Sequence, residues 1–266
     1  RLSLADCFVI GISQSGRAAD VMELLARAEA SGGVVASLTN DPDSPMARMS
    51  RFHLPLSAGP ETSVAATKTF GAQLFLLALL AARWSGDQAF LDRLTALPER
   101  LEGLADALAG ACVPLVERFR TVDAGFVLAR GYAYPIALET ALKIQETNYI
   151  RMKGYSIADF QHGPMAMLAP DVPVLLYAVR GPALPDALGM AELIRSTGAP
   201  LHVVTDDPDV LPGADVRILL PALSDPGDDR LAVFGLALFA QVFACRLSTA
   251  RGLDPDSPRM LRKVTV

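Results

Sequence analysis

Along this chain, continuous apolar runs closed by polar turns alternate with stretches of helical period. Cys7 to Ser13 (CFVIGIS) is a run of strand type ending in Gln14-Ser15-Gly16. Arg17 to Ala30 then sets Val21, Leu24, Leu25 and Ala28 on one side and stops at Gly32-Gly33, which predicts a helix. Val34 to Leu38 is a second apolar run, closed by Thr39-Asn40-Asp41-Pro42-Asp43. Strand, helix and strand in this length predict a βαβ unit, and hence a parallel sheet whose loops gather at one edge. The plan returns as a strand over Val174 to Val179, a helix over Leu184 to Ser196 and a strand over Leu201 to Val204. Gly16 recurs as Gly181 and Gly33 as Gly198, each 165 residues on, so two homologous α/β halves are expected. Between them Phe90 to Phe119 reads as helical, with Leu94, Leu97, Leu101, Leu104 and Leu108 on one face, before a strand over Gly125 to Ala129. The expected division is a first domain with its linker helix over residues 1–110, a second over residues 121–250 and a tail over residues 251–266.

The densest chemistry lies in Ala133 to Pro164. Pro135 suits a first helical turn, and Ile136, Leu138, Ala141, Leu142 and Ile144 supply apolar filling. Glu139, Lys143 and Glu146 follow at i, i+4 and i+7, which stacks them on one helix face. A loop is expected to deliver His162 within Gln161-His162-Gly163-Pro164. Two carboxylates, an ammonium and an imidazole are the parts needed to move protons around a carbonyl. An isolated i,i+4 ion pair, by contrast, is an ordinary surface feature.

The two halves differ at the turn after their first strand: Ser13-Gln14-Ser15-Gly16 against Val179-Arg180-Gly181-Pro182. Hydroxyls and free N–H groups at a helix N-terminus suit a phosphate, so the first half is expected to bind an anion and the second to support it. Alone, such a turn is more commonly just a helix cap. Ala58 to Phe70 (AGPETSVAATKTF) is either a cap built on Glu61, Thr62 or Ser63, or a second wall of the ligand site. The proline-rich tail Asp254 to Val266 carries Lys263 and is expected to dock through its valines. His53 and His202 stand in strand contexts and read as structural.

Composition narrows the classes. With 51% apolar and 20% charged residues the chain is globular. Its net charge of -5 argues against binding a nucleic-acid backbone. The first strand is followed by no GxGxxG, which argues against a dinucleotide site. Cys7, Cys112 and Cys245 form no CxxC pair, so neither a disulfide framework nor a zinc site is expected, and a reducing, cytoplasmic compartment is favoured. No metal or cofactor is expected. Of the longest apolar runs, Leu74 to Trp84 is too short to span a bilayer, and Leu231 to Leu247 contains Gln241, Cys245 and Arg246. Both read as buried helices or a subunit interface. A start at Arg1 with no leader reads as the inside of a larger polypeptide.

In order and together, the SQSG turn, ETSVAATKTF, YPIALETALKIQE, the HGP loop and DPDSPRMLRKVTV resemble the SIS (sugar isomerase) domain family. They are similar to the isomerase part of glucosamine-6-phosphate synthase and to stand-alone deaminase and isomerase relatives. The resemblance implies an α/β fold of two SIS domains, each a flavodoxin-like three-layer αβα sandwich. The first strand–loop–helix of the first domain would lie upstream of Arg1. By the same resemblance Ser13, Gln14 and Ser15 hold a sugar phosphate, and Val64 and Thr67 line the sugar site. Glu146 shuttles a proton between C1 and C2, with Glu139 and Lys143 as its neighbours. His162, contributed by a partner subunit, opens the ring, and Lys263 forms a Schiff base with the ketose. The implied ligand is a hexose or amino-hexose phosphate, and the implied assembly at least a homodimer, with no nucleic acid and no membrane.

Departures from the family pattern are Arg17 and Ala18 where the synthase turn continues with Glu and Thr, Ala66 for a serine, and Asp159 and Gln161 beside the histidine. The expected activity is interconversion of glucosamine 6-phosphate and fructose 6-phosphate with loss or gain of ammonia. The drifted turn leans it toward a stand-alone deaminase or isomerase. The alternatives are the isomerase half of a glutamine-dependent synthase, and a sugar-phosphate sensor without turnover.

Overall fold

The computed structural model describes residues 3–261 and Lys263. Its Cα framework divides into two compact units. One holds the residues up to Leu94 with the described tail from Arg259, and the other runs from Thr95 to Pro258.

In the first unit, β1 (Phe8–Ser13), α1 (Ala19–Ala30), β2 (Val34–Thr39), α2 (Pro45–Met49) and β3 (Phe52–Pro55) form a three-stranded parallel sheet in the order β1-β2-β3. Leu25, Ala28, Val35 and Met46 close its core. The predicted βαβ unit is present, and β3, which carries no long apolar run, joins it. His53 lies in β3 with Nε2 2.9 Å from Thr39 Oγ1. The apolar helix α3 (Lys68–Ser85) follows; its residues 70–80 are half-buried, not enclosed.

The expected continuous helix over Phe90 to Phe119 is instead four short ones: α4 (Gln88–Thr95), α5 (Leu97–Leu101), α6 (Leu104–Ala111) and α7 (Val113–Phe119). Pro98 and Pro114 each sit in a first turn, and Gly103 enters the left-handed region at φ 71°. Proline in a helix interior forfeits a hydrogen bond and clashes with the preceding turn, so each one restarts a helix.

The second unit is built on β4 (Ala124–Ala129), α8 (Tyr134–Asn148), β5 (Arg151–Ser156), α9 (Ile157–Gln161), β6 (Val174–Tyr177), α10 (Leu184–Thr197), β7 (Leu201–Thr205), β8 (Val216–Leu219) and α11 (Ala232–Ala250). All five strands are parallel, in the order β5-β4-β6-β7-β8. This is the flavodoxin-type order 2-1-3-4-5, whose switch point falls between β4 and β6. One face packs on α9 and α10 through Phe126, Leu128, Phe160, Leu176, Met190 and Ile194. The other carries α8, which lies against α11. By length and composition α11 could cross a bilayer, yet most of it is buried in this core. The stretch before His162, expected as a loop, holds β5 and α9. At Gly154 of β5 an added Cβ would stand 2.8 Å from the Ala137 carbonyl oxygen and 2.9 Å from the Leu138 Cα, so only glycine lets α8 lie this close.

His202, in β7, is buried and packs edge-on to Phe119 at 5.4 Å. Burial pushes its pKa from 6.5 down to about 4; Asp215 opposes the shift and Arg118 reinforces it. The unfolded chain therefore takes up this proton first as the pH falls. The contribution of His202 is complete above pH 6.5 and is lost toward pH 4, about 3 kcal/mol in all. We expect His202→Leu to raise the melting temperature relative to the parent more at pH 4.5 than at pH 7. An equal offset at both pH values in calorimetry would contradict this.

Candidate active site

The face of α8 that packs inward is its charged one. Glu139 and Lys143 are buried, and Glu146 is half-buried. Leu138 and Leu142, expected as filling, are instead 44% exposed each, because at 100° per residue they lie on the outer side. The Lys143 ammonium stands 3.7 Å from Glu139 Oε1 and donates a hydrogen bond to Glu146 Oε2. Burial is the main cause that pushes Glu139 up from 4.5 to about 7. Lys143 opposes this by charge and by its hydrogen bond, and Glu146 adds to it. A carboxyl titrating near neutrality beside a paired carboxylate suits acid–base chemistry.

This geometry is held from behind. Thr140 Oγ1 donates to the Ile136 carbonyl at 2.6 Å and stands 2.5 Å from the Tyr177 hydroxyl. Asn148 donates to the Ala244 carbonyl at 3.0 Å, and Ser248 Oγ donates to the Thr147 carbonyl at 3.0 Å. The last two bonds pin the C-terminal turn of α8 to α11. His162 is exposed at the end of α9, where Gly163 has a φ of 146°. Among the described residues its ring makes no hydrogen bond or ion pair, so the second unit does not join it to the α8 face.

In the first unit the turn after β1 is a tight one. Ser13 Oγ accepts from the Gly16 N–H at 3.0 Å, and Ser15 Oγ from the Arg17 N–H at 3.3 Å. Gly16 has a φ of 63°, and a Cβ there would lie 2.2 Å from Ser44 Oγ, so both conformation and space require glycine. Ala18 at the N-cap of α1 offers no side-chain acceptor, and Asp20 places a negative charge in the first turn. Arg17 pairs with Asp41 at 3.2 Å on the surface, so its charge is balanced within the protein.

Asn40 links this turn to the next loop: its N–H donates to the Gln14 carbonyl at 3.1 Å. Its side chain donates to the Gly59 carbonyl at 2.8 Å and accepts from the Ala58 N–H at 3.0 Å. The loop is then held by Glu61, whose buried carboxylate accepts from Thr67 (N–H 3.2 Å, Oγ1 3.3 Å) and Thr69 (N–H 2.8 Å, Oγ1 2.7 Å). Glu61 is thus the cap of α3. Burial pushes its pKa up, but these hydrogen bonds and the charge of Lys263 outweigh burial and leave it below the usual range. Lys263 donates a hydrogen bond to the Ser63 carbonyl, next to Val64. The first unit therefore gathers Ser13, Gln14 and Ser15 on one side, and Val64, Thr67 and Lys263 on the other, with Asn40 between. Val264 and Val266, expected to dock the tail, lie outside the described residues.

Asn40 and Glu61 were not among the expected site residues. Asn40 has a signal in the repeat, since Asp206 follows β7 as Asn40 follows β2, and accepts from the Arg180 N–H at 2.8 Å. The second crevice nevertheless differs in charge. At the switch point a Cβ on Gly181 would meet Asp229 Cβ at 2.7 Å, and Gly131 also faces the Asp229 carboxylate. Burial is the main cause that pushes Asp206 and Asp229 up; Asp207 adds to the shift of Asp206, Asp228 and Asp206 add to that of Asp229, and Arg180 and Arg230 oppose them.

A model of the SIS domain matches residues 3–83 and 121–224. Glutamine–fructose-6-phosphate aminotransferase (isomerizing) of Gloeobacter violaceus is 37% identical over 274 residues, covering 98% of this chain and 44% of that protein. The chain thus spans less than half the length of such relatives. The C-terminal domain of glucosamine-fructose-6-phosphate aminotransferase from Francisella tularensis superposes with a TM-score of 0.85 at 27% identity, over 94% of this chain and 72% of that one. The fold is shared too with glucosamine-6-phosphate deaminase from Thermotoga maritima, at a TM-score of 0.74 and 21% identity, over 97% of this chain and 75% of that one.

Proposed function

Because the chain belongs to the SIS domain family, we propose that it is an amino-sugar phosphate isomerase, interconverting glucosamine 6-phosphate and fructose 6-phosphate with loss or gain of ammonia. The observation that carries this reading is the buried Glu139–Lys143–Glu146 face of α8, with Glu139 pushed up to about 7. In the open-chain amino aldose, Glu146 takes the C2 proton and returns it to C1. The C2–N bond becomes an imine, water adds, and ammonia leaves the ketose. Lys143 holds the Glu146 carboxylate in place, and the adjacent Glu139 carboxyl supplies or accepts a proton on oxygen as the enolic intermediate forms. The Ser13–Ser15 turn holds the phosphate, Val64 and Thr67 line the sugar, and the Lys263 amine condenses with the C2 carbonyl of fructose 6-phosphate, releasing water.

His162 opens the ring in the site of a second copy, its imidazole serving as the acid–base group. Its exposed place and the exposed Leu138 and Leu142 support a homodimer. The 37% identity to a glutamine–fructose-6-phosphate aminotransferase favours the isomerase half of such an enzyme over a stand-alone deaminase. The two share the C1–C2 step and differ in the source of nitrogen. Cytoplasmic sugar-phosphate metabolism goes with either.

The test is ammonia release from glucosamine 6-phosphate, beside borohydride trapping with fructose 6-phosphate. We expect release from the parent chain and a trapped adduct at Lys263. Lys263→Ala should lose the adduct and at least about 100-fold in rate. Tight sugar-phosphate binding with neither release nor adduct would replace the isomerase with a sensor.

A further inference from the structure

In the first unit one side chain fastens the loop after β3 to the turn after β1. The Leu56 N–H donates to the Thr39 carbonyl at 2.9 Å, which carries the pairing of β2 with β3 one residue past Pro55. The Asn40 side chain then takes the place of a peptide group in that ladder. It donates to the Gly59 carbonyl at 2.8 Å and accepts from the Ala58 N–H at 3.0 Å. Its own main-chain N–H donates to the Gln14 carbonyl at 3.1 Å, so Asn40 holds one segment by its backbone and the other by its side chain. Farther along, Lys68 Nζ donates to the Pro60 carbonyl at 2.6 Å and Glu61 accepts from Thr67 and Thr69, bonds that stay within the loop and its helix. The loop needs to be held, because Ser57 has a φ of 51° and Gly59 one of 69°. The left-handed region is natural for glycine, whereas serine stays in it only where its surroundings over-determine the chain. The N–H groups on either side of Ser57 are the two anchored on Thr39 and Asn40. The second unit is built otherwise. There Asp206, at the matching place after β7, offers only acceptors and bonds the Arg180 N–H.

We propose that Asn40 is a positioning residue that fixes the spacing between the Ser13–Ser15 turn and the loop carrying Val64 and Thr67, and with it the reach from a bound phosphate to the sugar carbons. This rests on the sugar-phosphate reading given above. Its distinguishing consequence is that the two ends of the ligand respond differently. Asn40→Ala keeps the main-chain bond to Gln14, so phosphate alone binds as it does to the parent. The same change removes both bonds to Ala58 and Gly59, so a ligand that must meet both walls loses a preorganised site.

The probes are inorganic phosphate and D-glucitol 6-phosphate, an open-chain hexitol phosphate that cannot isomerise, each titrated by calorimetry into the full chain. Asn40→Ala should bind the hexitol phosphate about tenfold more weakly than the parent, and inorganic phosphate within about twofold of it. In turnover of glucosamine 6-phosphate, KM should rise about tenfold while kcat stays within about threefold. Hydrogen exchange at the Ala58 amide should quicken about tenfold or more, while that at Gly16, bonded to Ser13, stays as in the parent. Asn40→Ser, whose hydroxyl is too short to meet both partners, should give the same contrast and takes over if the alanine variant does not fold. Equal weakening of phosphate and hexitol phosphate, or weakening of neither, would overturn the proposal while leaving the sugar-phosphate reading in place. A parent chain that binds neither probe would overturn that reading, and this inference with it.

Discussion

Glu146→Gln is expected to lower kcat for proton exchange at C1 and C2 of glucosamine 6-phosphate by about 10³-fold, with KM nearly unchanged. Glutamine keeps the shape of the side chain and an oxygen to accept from Lys143, but it cannot take a proton from carbon. Loss of rate without loss of binding is the signature of a group that acts only in the transition state. The measurement is wash-in of deuterium from D2O, followed by NMR, which reports the carbon–hydrogen step apart from ammonia release. The companion Glu139→Gln separates the two carboxylates. Removing the group pushed up to about 7 should shift or flatten the limb of the rate profile near neutrality while costing less at the optimum. If Glu146→Gln keeps more than a tenth of the parental rate while Glu139→Gln abolishes it, the roles are reversed and Glu139 is the base.

The parallel sheets were legible because buried strands are written as unbroken apolar runs. Val34 to Leu38 and Leu201 to Val204 fall within β2 and β7 almost residue for residue. Strands buried on one side are written more faintly. In β5, Met152 and Gly154 are buried while Arg151 and Lys153 are exposed, and the alternation of Arg-Met-Lys-Gly reads as a loop until α8 is seen lying over Gly154. The leucine stripe from Leu94 to Leu108 suggested one long helix because apolar period outweighed Pro98 and Gly103, which break it. At the candidate site, spacing alone aligned Glu139, Lys143 and Glu146 on one face, but nothing local could say whether that face looked outward. The chain answers through remote partners, with Thr140 near Tyr177 and Asn148 on Ala244 rotating the trio inward and the leucines out. Glu61 was legible as a cap. That the loop it holds also receives Lys263, two hundred residues away, is a tertiary fact with no local trace.

The inward orientation gives Lys143 a role that can be weighed by pH. Lys143→Met keeps the stem's bulk and removes the one ammonium between two carboxylates. Glu139, ordinarily at 4.5, is raised to about 7 in the folded protein. The folded state therefore binds this proton more tightly than the unfolded chain. Its contribution is fully present below pH 4.5 and is lost as the pH rises toward 7. Without Lys143 the principal influence opposing the rise is gone, so the window of loss extends upward past 7. At pH 5 the buried Glu139 is already neutral in the parent, and the variant should lose only about 1 kcal/mol, a cost of repacking. At pH 8 Glu139 in the parent is mostly ionised beside its counter-ion, whereas in the variant it stays protonated above the parental pKa of about 7, so the loss should grow to about 2 kcal/mol. Urea unfolding followed by far-UV circular dichroism at the two pH values measures the difference. Equal losses would mean that Lys143 acts through packing alone, and the electrostatic account of the α8 face would fall with it. A widening loss would show that the face is held together by a balance of charges, which is what the proposed proton transfer on a sugar asks of the same three residues.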